Sequence, residues 1–276
     1  MIVDPLSEGF SPEKERQSHN LLKVNLIGLY TIIYKEIRRL FRIWVQTMVP
    51  PVITMTLYFV IFGSLIGQRI GQMEGVPYTT FIAPGLIMMS VITNSFGNVV
   101  SSFFSGKIQQ HLEEMLISPL CFTTIVTGYV FGGVVRGLLV AVLVTGVAMF
   151  FTELRLEHPL VTISVVVLTA MVFSLAGLLN AIFAKNFDEI SIIPTFVLAP
   201  LTYLGGVFFS LSLLSPMWQK VAMVNPILYM VNAFRYGMLG SSDIPIGLAY
   251  TIIVCALIVF YAAALLLLRH GTGIRS

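Results

Sequence analysis

The run Ile246-Gly-Leu-Ala-Tyr-Thr-Ile-Ile-Val-Cys-Ala-Leu-Ile-Val-Phe-Tyr-Ala-Ala-Ala-Leu-Leu-Leu-Leu268 decides the fold class of this chain, because its 23 residues include no Asp, Glu, Lys or Arg. A helix needs about 20 apolar residues to cross the hydrocarbon core of a bilayer. The whole chain is 57% hydrophobic and only 11% charged, whereas a soluble domain draws roughly a quarter of its residues from the charged types. The bilayer is therefore the expected solvent for most of the surface.

Five further stretches reach the same length, which predicts an all-α polytopic membrane protein with six transmembrane helices. Their apolarity is continuous, whereas a barrel strand alternates apolar and polar residues over about ten positions. One of the five carries a single charge, Arg136. The predicted spans besides Ile246–Leu268 are Trp44–Ile66, Thr80–Phe104, Thr123–Phe151, Leu160–Ala184 and Ile190–Leu214.

The basic residues predict the orientation of these spans, since Lys and Arg are enriched in cytoplasmic loops. Close to the span ends, nine of them lie on the side of the two termini and four on the other side. We therefore expect a multi-pass protein with both termini in the cytoplasm, residues 1–21 forming a polar tail and residues 269–276 a short C-terminal tail. The net charge of +3 is too small to indicate a nucleic-acid partner.

Residues 22–43, before the first span, have the pattern of an amphipathic helix lying in the membrane interface. Apolar residues such as Leu22 and Leu26 recur at mostly helical spacing. Such a helix binds anionic lipid headgroups through its basic residues. The alternative is a cytoplasmic extension of the first span. The basic residues are Lys35, Arg38, Arg39 and Arg42.

The loop Ser105–Phe122 contains a pattern for a short helix that Ser105 caps and Pro119 ends. An apolar face recurs at helical spacing, and polar or acidic residues, including Glu113 and Glu114, occupy the rest. Such a helix either rests on the membrane or docks into a partner. The two carboxylates favour docking, because anionic lipid repels them. The apolar face consists of Ile108, Leu112, Met115 and Leu116.

The outer loop between the fifth and sixth spans contains two helix-start signals, Ser215-Pro216 and Asn225-Pro226. Each begins a helix of about ten residues, which is too short to cross a bilayer. We expect a re-entrant hairpin that dips into the membrane and is shielded by protein. The alternative is an amphipathic pair of helices lying flat on the outer surface.

No catalytic or metal-ligating constellation stands out. The four histidines are dispersed, and Ser105-Gly106-Lys107 lacks the other residues of a nucleotide-binding P-loop. We therefore predict a chain that is not an enzyme and binds no metal.

Arg136 either binds substrate or stabilises the helix bundle, and the glycines around it predict close helix contact. The spans contain no Asp, Glu or His, which disfavours a carrier driven by an ion gradient.

Four sequence strings resemble the membrane subunit of ABC-2 type exporters, and the resemblance covers nearly the whole chain. It implies that residues 44–268 form the ABC-2 type transmembrane domain of a protein in the bacterial inner membrane. It also implies a homodimer bound to two copies of a separate ABC ATPase, which binds the ATP and Mg while this chain holds no cofactor. The strings are Arg42-Ile-Trp-Val-Gln-Thr47, Phe81-Ile-Ala-Pro-Gly-Leu-Ile-Met-Met89, Pro194-Thr-Phe-Val-Leu-Ala-Pro-Leu-Thr-Tyr-Leu-Gly-Gly-Val-Phe208 and Asn225-Pro-Ile-Leu-Tyr-Met-Val-Asn-Ala-Phe-Arg-Tyr-Gly237.

The resemblance also assigns roles to residues, and residues 22–43 take that of the family's connecting helix. The coupling helix that contacts the ATPase would comprise Gly106, Lys107, Ile108, Gln109, His111, Leu112, Glu113, Glu114, Met115 and Leu116. A second cytoplasmic contact would comprise Asn186, Phe187, Asp188 and Glu189. The re-entrant hairpin would cap the pathway with Pro216, Trp218, Asn225, Pro226, Tyr229, Phe234 and Arg235.

A pathway along the dimer interface is expected to have a mainly apolar and aromatic lining, which suits amphipathic, lipid-like or lipid-linked cargo. The chain is then an ATP-driven export permease. The alternative is an ATP-independent lipid-binding or scaffold protein in the membrane. The residues predicted to line the pathway are Phe59, Phe62, Arg136, Phe196, Tyr203 and Phe208.

Overall fold

The computed structural model describes residues 12–154 and 156–271, and most of them are helical. The first half contains α1 (Pro12–Arg42), α2 (Trp44–Ile70), α3 (Tyr78–Ile108), α4 (His111–Ile117) and α5 (Phe122–Ala148). A hairpin of two short strands, β1 (Gln72–Met73) and β2 (Val76–Pro77), precedes α3. The second half contains α6 (Pro159–Phe183), α7 (Glu189–Tyr203), α8 (Pro216–Val224), α9 (Pro226–Leu239) and α10 (Ile246–His270).

Five of the described helices are long and apolar enough to cross a membrane, namely α2, α3, α5, α6 and α10. Each corresponds to one predicted span, with ends that differ by a few residues. The fold is therefore of the expected all-α membrane class, with five such helices in the described residues where six spans were predicted. The helix α2 contains a π-helical stretch, Phe59–Ile66, and two internal prolines, which membrane helices tolerate.

The predicted span Ile190–Leu214 differs from the structure, because helix α7 ends at Tyr203. Pro194 begins a π-helical turn inside α7, and proline supplies no amide hydrogen for the helical ladder. Beyond the helix, Gly206 adopts a left-handed φ of 73°, so the chain leaves the helical path there. Uninterrupted apolarity in the sequence concealed this break.

Helix α3 forms the centre of the bundle and packs mainly against α5 and α6. Small residues allow these helices to approach closely. Gly133 and Gly137 of α5 lie directly against Ser174 of α6 and Ser95 of α3. A methyl group at Gly177 of α6 would lie 2.5 Å from the carbonyl oxygen of Phe96 in α3.

Helix α1 starts at Pro12, so it includes residues 12–21 of the predicted tail, and residues 1–11 lie outside the described part of the chain. Its second half packs against α5, where Gly128 and Gly132 make room for Ile32 and Glu36. The helix is therefore a packed element of the bundle on one side. Its opposite side is exposed and carries Tyr30, Tyr34 and Phe41.

Candidate functional site

The end of the bundle at which α3 stops contains the first candidate site. Helix α3 continues through Ser105 to Ile108, and Gln110 then adopts a left-handed φ of 61°. The next helix, α4, starts only at His111. The prediction that Ser105 caps one helix containing Ile108 and Leu112 is therefore wrong. Helical periodicity continues across the break, which hid the two-residue turn.

Helix α4 is anchored by one face and exposed on the other. Leu112 is completely buried, and Met115 and Leu116 pack against the same core cluster. Glu113 and Glu114 are exposed, as is Ile117, whose surface is 85% accessible. The outward surface of α4 therefore combines two carboxylates with one apolar side chain. Ile117 belongs to this surface and was missed by the sequence analysis.

Lys107 connects this end of α3 to the end of α6. Its Nζ donates hydrogen bonds to the carbonyl oxygens of Ile182 and Ala184, both at 2.8 Å. Carbonyls at a helix C-terminus lack intrahelical donors, and a basic side chain satisfies them. Lys107 thus joins two helices, and its amino group is not directed outward to a partner. Gly106, the residue before Lys107, is buried.

The loop that precedes α7 is stabilised by a reciprocal cap. The Oδ1 atom of Asn186 accepts a hydrogen bond from the amide of Glu189 at 2.9 Å. The Glu189 carboxylate accepts bonds from the Lys185 amide at 2.8 Å and from Asn186 Nδ2 at 3.0 Å. The Asn-x-x-Glu spacing is that of a capping box, but these bonds close the loop ahead of the helix, whose N-cap residue Asp188 makes no side-chain cap. The cap holds Phe187 exposed, with its ring against Phe104 of α3 at a centroid distance of 5.0 Å.

A groove of about 490 Å³ extends this surface towards the end of α10. Its walls include Glu113 and Ile117 of α4, Phe122 of α5 and Arg269 of α10. Helix α4, the Asn186–Glu189 loop and the end of α10 therefore share one end of the molecule. We call these three segments the docking face.

A buried polar cluster joins α1 to α3 close to this end. Glu36 is only 1% exposed, and Ser102 of α3 donates a hydrogen bond to its carboxylate. Arg39 donates to Glu36 Oε2 at 3.1 Å, to Asn98 Oδ1 at 2.8 Å and to Ser101 Oγ at 3.2 Å. Arg39 is therefore directed into the protein rather than to lipid headgroups. The absence of acidic residues from the spans remains true, but α1 places one carboxylate against them.

Arg235 lies at the opposite end of the bundle and is completely buried. Its Nη2 donates to the carbonyl oxygen of Gly206 at 2.6 Å, and its guanidinium lies 4.0 Å from the centroid of the Phe81 ring. Nε and Nη1 have no hydrogen-bond partner within the described residues. Asp243, which accepts bonds from Ser210 Oγ and the Leu211 amide, contributes a nearby negative charge.

The other residues predicted for the hairpin occupy different environments. Asn225 links the segments, because its side chain accepts from the Ile227 amide at 3.0 Å and donates to the Leu201 carbonyl at 2.6 Å. Tyr229 donates to the Met223 carbonyl at 2.8 Å, and Phe234 is buried. Pro216 starts α8 and Pro226 starts α9, while Ser215 forms no side-chain cap. Trp218 of α8 is half exposed.

Comparison with known proteins identifies the family of this chain. The family model for the ABC-2 type transporter matches residues 28–239, which is most of the chain. The chain belongs to the ABC-2 type transporter family. It is therefore a membrane transport subunit, and family membership implies an ABC ATPase as its partner.

Curated relatives agree with this assignment. The ABC-2 chain is 55% identical to the inner membrane transport permease YadH of Escherichia coli K12, over 91% of this chain and 98% of that protein. It is 25% identical to nodulation protein J of Rhizobium leguminosarum bv. viciae, over 78% of this chain and 83% of that protein. The similarity to an inner membrane permease, with the five long apolar helices, supports a multi-pass protein of the inner membrane.

The structure of this ABC-2 chain brings together only some of the residues predicted to line a pathway. Phe62 and Phe208 pack with ring centroids 4.6 Å apart, and Tyr203 lies 6.2 Å from Phe208. Phe196 lies apart from them on α7 and is 74% exposed. Phe59 is a core residue instead, since it is completely buried and its ring stacks on that of Phe151. A continuous apolar run in the sequence does not show which face of the helix is outward.

Arg136 lies away from the aromatic residues, at the contact between α5 and α3. Its Nη2 donates to Asn94 Oδ1 at 3.1 Å, while its Nε is buried without a partner in the described structure. The observed contact is therefore a bond between helices. Of the two roles that the sequence left open for Arg136, this geometry supports the structural one.

Proposed function

We propose that this chain is the permease subunit of an ATP-driven exporter, acting as a homodimer with two copies of a cytosolic ABC ATPase. The observation that supports this proposal most directly is the docking face. There α4 and the Asn186–Glu189 loop expose charged and apolar side chains, while Leu112 and Lys107 anchor this part of the chain to the bundle. In this proposal the docking face is cytoplasmic, as are both termini, in accord with the distribution of Lys and Arg.

The structure supports a mechanical link between the docking face and the transmembrane helices. Helix α4 is separated from α3 by a two-residue turn, and buried Leu112 ties it to the bundle core. Lys107 connects the same point to the carbonyls that end α6. A force that the ATPase applies to α4 therefore reaches α3 and α6, the most closely packed pair of the bundle.

The homodimer is proposed because two apolar elements lack protein cover. Only 18% of the apolar stretch of α2 is buried, and residues of α7 such as Ile192 and Phe196 are at least half exposed. A second copy meeting α7 and the second half of α2, where Ile61 and Leu65 are exposed, would form a pathway between the two chains, with an apolar and aromatic lining, and would leave the first half of α2 in contact with lipid. Such a lining favours amphipathic, lipid-like or lipid-linked cargo over small ions, which require polar or charged rings.

We include a sixth crossing and a re-entrant hairpin in the proposal. The segment that contains α7 is bound at its start, where Asn180 donates to the Ile190 carbonyl, and again where Tyr78 donates to the Phe208 carbonyl at 3.0 Å. Since Asn180 is near the end of α6 and Tyr78 starts α3, these bonds lie at opposite ends of the bundle. The deep burial of α9 compared with α8 supports a hairpin that enters the protein.

The decisive experiment is recovery of the ATPase with the tagged chain from detergent-solubilised native membranes. We expect Glu113→Lys combined with Ile117→Asp to reduce recovery by about tenfold or more, because few interface residues supply most of the binding free energy. Both side chains are exposed, so the variant leaves the bundle core intact. Leu112 is unsuitable for this test because it is buried.

The matched control is Phe150→Asp, at a residue that is 89% exposed and lies in the turn after α5, away from the docking face. This variant should retain full recovery of the ATPase. Equal recovery with both variants would refute the docking face. Recovery of no ATPase even with the unmodified chain would favour an ATP-independent lipid-binding or scaffold role. Cargo-dependent ATP turnover in a reconstituted complex would support export directly.

A further inference from the structure

The outward side of α1 carries a concentrated positive charge that the exporter mechanism does not use. A shallow groove of about 830 Å³, lined by side chains of α1 alone, follows this side of the helix. Lys35, Arg38 and Arg42 line it, together with Arg39, and the first three are exposed. None of these three forms an ion pair within residues 12–154 and 156–271. Glu36 compensates only Arg39 and lies buried behind the groove.

The position of the groove relative to the apolar layer follows from the chain itself. Arg42 is two residues before Trp44, the first residue of α2, which is long and apolar enough to cross the membrane. Tyr34 and Phe41 lie in the groove wall, and Trp44 is half exposed next to it. Aromatic and basic side chains occur together at the level of lipid headgroups. The groove therefore lies where the chain enters the bilayer.

An apolar stripe leads from the groove into the membrane. Val45, Val49, Ile53 and Leu57 recur every four residues on α2, and each is at least 38% exposed. Residues four apart lie on the same face of a helix. The stripe offers a surface for an acyl chain immediately beyond a basic pocket suited to a phosphate group.

The rigidity of α1 supports a binding site rather than a diffuse charge. Glu36 and Arg39 tie the helix to Asn98, Ser101 and Ser102 of α3. The groove residues belong to the same two turns of helix, so their backbone positions are held by this polar cluster. An anionic group would therefore meet an ordered set of cations without first ordering the helix.

We propose that this groove binds the phosphate headgroup of an anionic glycerophospholipid of the surrounding bilayer, with one acyl chain along the Val45–Leu57 stripe. The lipid is a resident ligand of the permease and not its cargo. Bound there, it connects α1 and α2, and it stabilises the packing of α1 against α3. With the orientation proposed above, the lipid belongs to the cytoplasmic leaflet.

The test is native mass spectrometry of the full-length chain in detergent, with equimolar phosphatidylglycerol and phosphatidylcholine of identical acyl chains. We expect phosphatidylglycerol adducts to exceed phosphatidylcholine adducts by about tenfold, since each basic residue at a membrane surface adds attraction to anionic lipid. In the triple variant Lys35→Gln, Arg38→Gln, Arg42→Gln the ratio should fall close to one. The charge-keeping variant Lys35→Arg, Arg38→Lys, Arg42→Lys should retain the preference.

The matched control removes the same charge elsewhere, with Lys23→Gln, Lys185→Gln and Arg269→Gln, all at exposed residues. It should keep the preference for phosphatidylglycerol. An equal loss in the control and the triple variant would overturn the proposal, as would displacement of the lipid by excess inorganic phosphate. If the triple variant does not fold, the three single variants decide, and unchanged ratios in all of them would also overturn it. No ATPase is present, so failure here is distinct from failure of the docking face.

Discussion

Helices α3 and α10 are both long enough to cross the membrane, yet they differ in composition and burial. The apolar stretch of α3 has a mean hydropathy of 1.3 and is 72% buried, whereas that of α10 has a mean hydropathy of 2.9 and is 17% buried. The less apolar helix is the one inside the protein. Water would favour the opposite arrangement, because it drives apolar side chains into the interior.

The difference shows how this protein distributes polar groups in lipid. Helix α3 buries Ser90, Ser95, Asn98 and Ser102, and α10 exposes Leu248, Ile258 and Leu266. Lipid tails provide no driving force for burying Leu, so helix contacts depend on small residues and hydrogen bonds. Polar residues within an otherwise apolar span therefore mark a helix that contacts protein. This interpretation is tested by changing residues that contact α3 and making matched changes on α10.

The largest effect is expected from Glu36→Ala, which removes the carboxylate that α3 and Arg39 share. A buried charge left without its partner costs about 3–5 kcal/mol of unfolding free energy. Thermal unfolding of the purified chain in mild detergent measures the loss. The control on α10 is Thr251→Ala, since Thr251 is exposed and, among the described residues, its side chain bonds only the Gly247 carbonyl of its own helix. Equal stability of the two variants would contradict the comparison.

A somewhat smaller effect is expected from Gly177→Val, at the contact of α6 with α3. The new side chain would meet the Phe96 carbonyl oxygen, and overpacking of this kind costs about 1–3 kcal/mol. Gly247→Val on α10 is the matched change, because in the described part of the chain no atom outside the local helix backbone lies within 4 Å of a methyl group at Gly247. The same unfolding assay should therefore separate the two variants. A destabilised Gly247→Val variant would indicate that α10 has a packed face that the comparison omits.

The smallest effect concerns the loops that precede the two helices, where Glu74 before α3 meets Asp243 before α10. Partial desolvation of the Glu74 carboxyl and the neighbouring Asp243 raise its pKa above the ordinary value of 4.5, while Ser210 and Arg235 act in the opposite direction. The folded chain then holds this proton more tightly than the unfolded chain does. Its contribution to stability is present at low pH and is lost as pH rises above 4.5 through the raised pKa.

Glu74→Gln removes this dependence, because the amide does not ionise. We expect the variant to gain stability relative to the unmodified chain as pH increases from 4.5 to 7.5, by a small amount since Glu74 is exposed. Unfolding temperatures at several pH values provide the measurement. A stability difference that does not change with pH would show that the Glu74 proton is not linked to folding.

The candidate site was predictable in part. The helical pattern located the acidic positions Glu113 and Glu114, the family resemblance pointed to the Asn186–Glu189 loop, and the structure brings them to the same end of the bundle. The helix boundary at Gln110 was not predictable, because hydrophobic spacing persisted through it. The roles of Leu112 as an anchor and Ile117 as an exposed residue also required the fold. Both are apolar residues on one short helix, and only their neighbours distinguish them.

The sequence by itself determined that the chain is helical and lies in a membrane, because continuous apolar runs have one stable solution in lipid, where each backbone group must be satisfied within its own helix. It also located the turns and basic segments that border these runs. Only the tertiary structure decided which face of each helix is inside. It placed Glu36 between α1 and α3, buried Phe59 and ended α7 at Tyr203. These outcomes depend on contacts between residues distant in the chain, which hydropathy along the sequence does not record.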